Sequence, residues 1–283
     1  MFKSVIVFVL FIISTVIIPK PSKCIQYTDR LYHTQQPSNS DYNNNYNNQL
    51  APYLVSIRLN NVHICSGVII TEWDILTSAQ CIYYPSVING STYQMLSIYL
   101  GSTNRYSNGS IYYISSIKVK ESFSAQRGQL PIFDIATIRL SERIIFHETR
   151  NQACIGERNT KKSTIINQQA VVGGWIDNKF ETLNNLQLTN WTIISDEDCD
   201  NYYSFMDKVT NDAKICAVNM DRDGDVNMCP GDLGNPLIVD GKLVGYKMWR
   251  MGCNFPEAPV IFRFILHTEY YDWMKENIHG SLC

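Results

Sequence analysis

Nine cysteines constrain this 283-residue chain more than any other feature: Cys24, Cys65, Cys81, Cys154, Cys199, Cys216, Cys229, Cys253 and Cys283. Usage on this scale points to disulfides and so to an oxidising compartment. The amino terminus agrees. Lys3 supplies a positive start, and Val5 to Ile18 is apolar except for Ser14 and Thr15. That run is shorter than the roughly 20 apolar residues of a bilayer span. Ser22 and Cys24 are small residues placed for cleavage after Cys24. Residues 1–24 are therefore expected to be a secretory signal, with a membrane anchor as the alternative, and the mature protein to be secreted and extracellular. Removal of Cys24 leaves eight cysteines, an even number whose pairing spacing alone does not decide.

Composition excludes several partner classes. Hydrophobic residues make up 45% and charged residues 18%, as in a soluble globular protein, and the net charge is −2. No basic patch larger than Lys161-Lys162 is present, so neither nucleic acid nor a membrane surface is an expected partner. The five histidines form no i, i+4 ligand pair. Asp221-Arg222-Asp223-Gly224-Asp225 resembles a calcium loop but lacks its distal glutamate. No metal and no cofactor are expected.

Residues 25–50 contain the Asn-rich run Tyr42-Asn43-Asn44-Asn45-Tyr46-Asn47-Asn48, which reads as a surface tether. From Ala51 the pattern turns to strands. Pro52 to Leu59 alternates, and Leu96 to Leu100 and Ile111 to Ile114 are strand-like. Ser195 followed by Asp196, Glu197 and Asp198 is a helix start with acids suited to its dipole. Near the end, Tyr270, Trp273 and Met274 fall at i, i+3 and i+4, the stripe of an amphipathic helix. Three glycosylation sequons begin at Asn89, Asn108 and Asn190.

Three further boxes carry a family resemblance. The run Asn227-Met228-Cys229-Pro230-Gly231-Asp232-Leu233-Gly234-Asn235-Pro236 resembles the Gly-Asp-Ser-Gly-Gly-Pro signature of the trypsin/chymotrypsin serine proteases. Leu76-Thr77-Ser78-Ala79-Gln80-Cys81 resembles their Leu-Thr-Ala-Ala-His-Cys box, and Asp134-Ile135-Ala136 their Asp-Ile-Ala-Leu box. The similarity spans about residues 51–279. It implies an all-β fold of two six-stranded antiparallel β-barrels, about 51–145 and 166–267, with a C-terminal helix at about 268–279. It also implies bridges Cys65–Cys81, Cys199–Cys216 and Cys229–Cys253. Cys154 is then left for Cys283, or for Cys24 if cleavage falls earlier.

Within that resemblance the catalytic positions are degenerate. Leu233 stands where the nucleophilic serine is expected, and leucine has no oxygen with which to attack a carbonyl. Gln80 stands where the histidine base is expected, and a carboxamide cannot take the nucleophile's proton. Asp134 is retained, as is Gly231, whose N–H would form half the oxyanion hole. The substrate pocket is altered by Asn227 at its floor, by Met248-Trp249-Arg250 in place of Ser-Trp-Gly, and by Pro259 in place of a glycine. Arg30-Leu31-Tyr32-His33 sits at the activation site without its glycine pair.

Ser195 to Tyr203 is similar to mite gut trypsins of the group 3 allergen type, whose relatives include inactivated paralogues in the scabies mite. The resemblance implies a pseudoprotease, expected to be monomeric, that binds host plasma proteins such as complement components. The alternatives are a serine endopeptidase with residual activity and an accessory protein that docks onto active proteases.

Overall fold

The computed structural model describes residues 51–83, 95–126, 129–175, 184–206, 209–219, 233–251, 255 and 257–283. Residues 1–50, with the expected signal and Asn-rich segment, lie outside them, as do Asn89, Asn227, Cys229, Gly231, Asp232 and Cys253.

Twelve strands close into two barrels. The first contains β1 (Leu54–Leu59), β2 (Val62–Ile69), β3 (Asp74–Thr77), β4 (Leu96–Leu100), β5 (Ser110–Val119) and β6 (Ala136–Leu140), closed in the order β1-β2-β3-β6-β5-β4. The second contains β7 (Gln169–Gly174), β8 (Gln187–Ile194), β9 (Lys214–Asn219), β10 (Pro236–Val239), β11 (Lys242–Trp249) and β12 (Val260–Phe264), closed as β10-β11-β12-β9-β8-β7. Every pairing is antiparallel. Closure leaves no free sheet edge in either barrel.

Two hairpins show why the chain reverses where it does. Asn60 and Asn61 join β1 to β2 at φ 51° and 65°, and Asp240 and Gly241 join β10 to β11 at φ 47° and 72°. Two consecutive left-handed residues match the twist of the flanking strands, and Asn, Asp and Gly adopt that conformation at least cost.

Each barrel has its own apolar filling. Val55, Ile57, Ile69, Ile75, Ile98 and Ile138 pack inside the first. Val172, Trp191, Ile215, Leu237, Phe262 and Phe264 pack inside the second, and Val68, Ile70, Leu76 and Ile135 of the first barrel join that cluster. The two barrels thus share a continuous interface, along whose seam Gln80, Asp134 and Leu233 lie.

Helix α1 (Asp196–Tyr202) starts as its sequence indicates, with the Ser195 hydroxyl accepting from Asp198 N–H at 3.0 Å. Helix α2 (Thr268–Glu276) buries Tyr270, Trp273 and Met274. It stops three residues short of the expected 279. Asn277 leaves the helical conformation, and His279 N–H then donates to Asp74 Oδ2 at 2.7 Å. Asp74 is fully buried, and also accepts from Thr71 and twice from Arg139. A buried carboxylate needs several donors, and the departing chain end supplies one.

Cys65–Cys81 and Cys199–Cys216 are bonded. The expected Cys154–Cys283 bridge is not formed. Cys154 is a free thiol with its Sγ 3.8 Å from Cys283 Sγ, and Cys283 is held in a disulfide whose partner is not among the described residues. A disulfide sulfur has room for one partner only.

Candidate functional site

The seam between the barrels is set by Leu233 and Gly234, at the entrance to β10. Leu233 C=O accepts from Ser66 N–H of β2, and Gly234 N–H donates to Lys247 C=O of β11, both at 2.9 Å. The turn is therefore bonded to both barrels. Gly234 has φ 84°, and a Cβ there would lie 2.0 Å from Ser66 O. Only glycine permits that approach. The Leu233 side chain is half-buried and packs against the first-barrel core. Nothing on it can act as a nucleophile.

Gln80 sits in a short 3₁₀ turn, Ala79–Cys81, anchored by the Cys65–Cys81 bond. Both protons of its side-chain amide are used. Nε2 donates to Asp134 Oδ2 at 3.0 Å and, across the seam, to Met248 C=O at 2.9 Å. The amide thus links the two barrels, and as a carboxamide it cannot serve as a proton-accepting base.

Asp134 is fully buried. Its carboxylate accepts from Ser78 Oγ, at 2.8 Å and 2.9 Å to the two oxygens, and from Gln80 N–H at 3.0 Å. Its backbone carbonyl accepts from Tyr246 Oη at 2.5 Å. Burial pushes the Asp134 carboxyl above its ordinary pKa, opposed first by the Arg263 charge and then by the Ser78 and Gln80 hydrogen bonds. Burial likewise pushes the Tyr246 hydroxyl up, and the Asp134 charge adds to the shift.

The residues expected at the substrate pocket belong to a packed aromatic cluster. Met248 is fully buried beside Tyr203, Val209 and Ile261. Trp249 meets Tyr203 edge to face at 5.5 Å between ring centroids. The Tyr203 hydroxyl donates to Pro259 C=O, and burial raises its pKa above the ordinary tyrosine range. Arg250 folds back onto Phe255 C=O at 2.7 Å. Asn227 and Gly231 lie outside the described residues, so the pocket floor and the oxyanion position are not placed. Of the sequons, Asn108 is exposed in a turn at φ 64° and Asn190 is exposed on β8.

Three residues at the site went unremarked in the sequence reading. Ser78 is the closest donor to the Asp134 carboxylate, and its place in the Leu-Thr-Ser-Ala-Gln-Cys box could have shown it. Asn235 occupies the second glycine of the signature-like run. It is fully buried against Gly174, and neither amide atom has a hydrogen-bond partner among the described residues. Arg263 is buried in β12 and acts on Asp134 through space; no local motif marks it. Among the described residues no cluster of His, Cys, Asp and Glu could hold a metal ion, and no helix is long and apolar enough to cross a membrane.

Comparison with known proteins agrees with this architecture. The Trypsin family model matches residues 41–274. Trypsin delta and trypsin gamma of Drosophila erecta are each 31% identical over 230 residues, covering 80% of this chain and 83% of theirs. Trypsin of Simulium vittatum is 31% identical over 217 residues, covering 73% of this chain and 82% of its own. Among solved structures, mouse neuropsin, a serine protease expressed in the limbic system of the brain, superposes with a TM-score of 0.67 at 23% identity. That match covers 81% of this chain and 95% of neuropsin, and speaks to the fold alone. The chain belongs to the trypsin family.

Proposed function

We propose that this protein is a secreted pseudoprotease, a trypsin-fold chain that does not hydrolyse peptides and acts by binding another protein. The observation that carries this reading is the bridge made by Gln80. Its amide spends both protons on Asp134 and Met248, opposite a leucine. Acyl transfer needs a nucleophile and a base within hydrogen-bond reach of each other, and neither group is present at these positions. By its likeness to the inactivated mite paralogues, the partner class is a component of host proteolytic defence such as complement.

The test has two arms. Purified protein is treated with a fluorophosphonate reagent and assayed on a broad fluorogenic peptide library. The expectation is no labelling and no turnover; stoichiometric labelling in the cleft overturns the reading. Capture from host plasma, set against capture from the source organism's own gut extract, then separates a host target from docking onto the organism's own proteases.

A second reading is a serine-type endopeptidase with residual activity. It is favoured by the relatives, which are named trypsins. An oxyanion hole alone can supply on the order of 10³–10⁴-fold over water when substrate is held correctly. Slow turnover in the peptide library without fluorophosphonate labelling would select it.

A further inference from the structure

On the second barrel, a cavity of about 370 Å³ opens between the 131–133 loop, the 211–214 segment entering β9, the end of β12 and the start of α2. Pockets of this size hold small organic molecules. Its apolar lining comes from Pro131, Ile132, Phe133 and the ring of Tyr270. Arg263, stacked on the Tyr270 ring, and Lys214 supply its positive charge.

Arg263 is only 1% exposed, yet no carboxylate is hydrogen-bonded to it among the described residues. Nη1 donates to Ala213 C=O at 3.2 Å, Nη2 faces the Met248 sulfur at 3.0 Å, and the guanidinium lies 4.3 Å from the centre of the Tyr270 ring. Its Nε has no partner among the described residues. Five donors facing one carbonyl, a thioether and a ring leave a buried guanidinium short of acceptors. Asp134 attracts it through space but spends its oxygens on Ser78 and Gln80.

Lys214 is half-buried on the same cavity, and no hydrogen bond of its ammonium is seen among the described residues. Burial first, and then repulsion from Arg263, push its pKa down to about 8, with Asp200 pulling the other way. His267 Nδ1, on the cavity rim, is also buried without a partner. The cavity therefore gathers two cationic side chains short of acceptors and sets them beside an apolar lining.

We propose that this cavity binds a small organic acid, its carboxylate between Lys214 and Arg263 and its apolar body against Ile132, Phe133 and Tyr270. Asp212 and Glu269, both exposed at the mouth, select against ligands with more than one negative charge. A carboxylate supplies the missing acceptor to both cations in a partly dry site, where charge-assisted hydrogen bonds are strongest. Gln80, Asp134 and Leu233 do not line the cavity, and of the groups around them only Arg263 does; the proposal therefore does not require the seam to be catalytically dead.

The experiment is calorimetric titration of the full mature protein with octanoate and 4-phenylbutyrate, with 1-octanol and inorganic phosphate as controls. Both acids are expected to bind saturably at or below about 1 mM, and octanol and phosphate to bind at least about tenfold more weakly. Lys214→Met should weaken the acids by about tenfold or more, as loss of a charged hydrogen-bond partner does. Ile132→Glu, at a position 55% exposed, should weaken them as well. No saturable binding of either acid overturns the proposal, as does undiminished binding in both variants. Phosphate binding as tightly as octanoate overturns it too, because the apolar wall would then contribute nothing.

Discussion

Gln80 donates to Asp134 through two separate groups, its backbone N–H and its side-chain amide, both at 3.0 Å. In an active member of the family the resemblance puts a histidine at this position, oriented by the aspartate and facing the nucleophile. Here the orienting contact survives while the proton acceptor is gone. An amide reproduces the geometry of a base without its chemistry, and the same group adds a bond to Met248 that pins the second barrel.

The first prediction concerns repair. Gln80→His with Leu233→Ser recreates the triad residues beside Asp134, yet peptidase activity should stay far below that of a digestive trypsin. Pro259 is tied to Tyr203, Met248 is packed into the same cluster, and Arg250 closes onto Phe255. A misplacement of about 1 Å in the reacting groups costs about 10²-fold. Two point changes do not reopen a packed aromatic cluster. Turnover of the folded double variant on a broad peptide library decides it, and trypsin-like rates would show that the pocket is intact.

The second concerns the pH dependence carried by Asp134. Its folded pKa is raised above the ordinary 3.8 by burial. The folded state therefore holds the proton to higher pH than the unfolded chain does. The associated stability is complete below about 3.8 and is lost as pH rises through the raised folded value. Asp134→Asn removes this titration. The stability of the wild type relative to that variant should fall from about pH 4 upward, with a limiting slope of about 1.4 kcal/mol per pH, and then level off. Urea denaturation of both proteins between about pH 3 and 8 measures it; a flat difference, or one of opposite slope, contradicts the prediction.

The third tests the contact between Gly174 and Asn235. A Cβ at Gly174 would lie 2.2 Å from Asn235 Nδ2. Gly174→Ala should destabilise the fold by about 1–3 kcal/mol, the usual cost of overpacking a full core. Combining it with Asn235→Gly should recover much of that loss, because the clash is with the asparagine side chain. Additivity of the two changes in denaturant melts would show that the positions do not press on each other.

The fourth addresses the buried pair Arg139–Asp74, bonded at 2.7 Å and 2.8 Å. Arg139→Ala leaves Asp74, fully buried, with Thr71 and His279 N–H as its remaining donors. Removing one member of such a pair costs about 3–5 kcal/mol. A midpoint in guanidinium chloride close to that of the wild type would mean that the two neutral donors suffice.

The two-barrel fold and the two observed bridges were legible through the family resemblance, which rests on local boxes such as Leu76–Cys81 and Asp134–Ala136. The replacements at Gln80 and Leu233 were legible for the same reason, since side-chain chemistry is a property of the residue itself. The helix end at Glu276 and the free thiol of Cys154 were not. The first depends on Asp74, some 200 positions earlier in the chain, demanding a donor from His279, and the second on Cys283 being already bonded.

By itself, then, the amino-acid order determined which chemistry is missing from the seam and which elements surround it. Tertiary structure alone decided what the remaining groups do. Gln80 reaches Met248 across 168 positions, and Arg263 faces Asp134 and Lys214 from another strand. Such relationships arise when barrel closure removes water from groups far apart in the chain. Their hydrogen bonds and charges then depend on which neighbour arrives, and no local pattern encodes that.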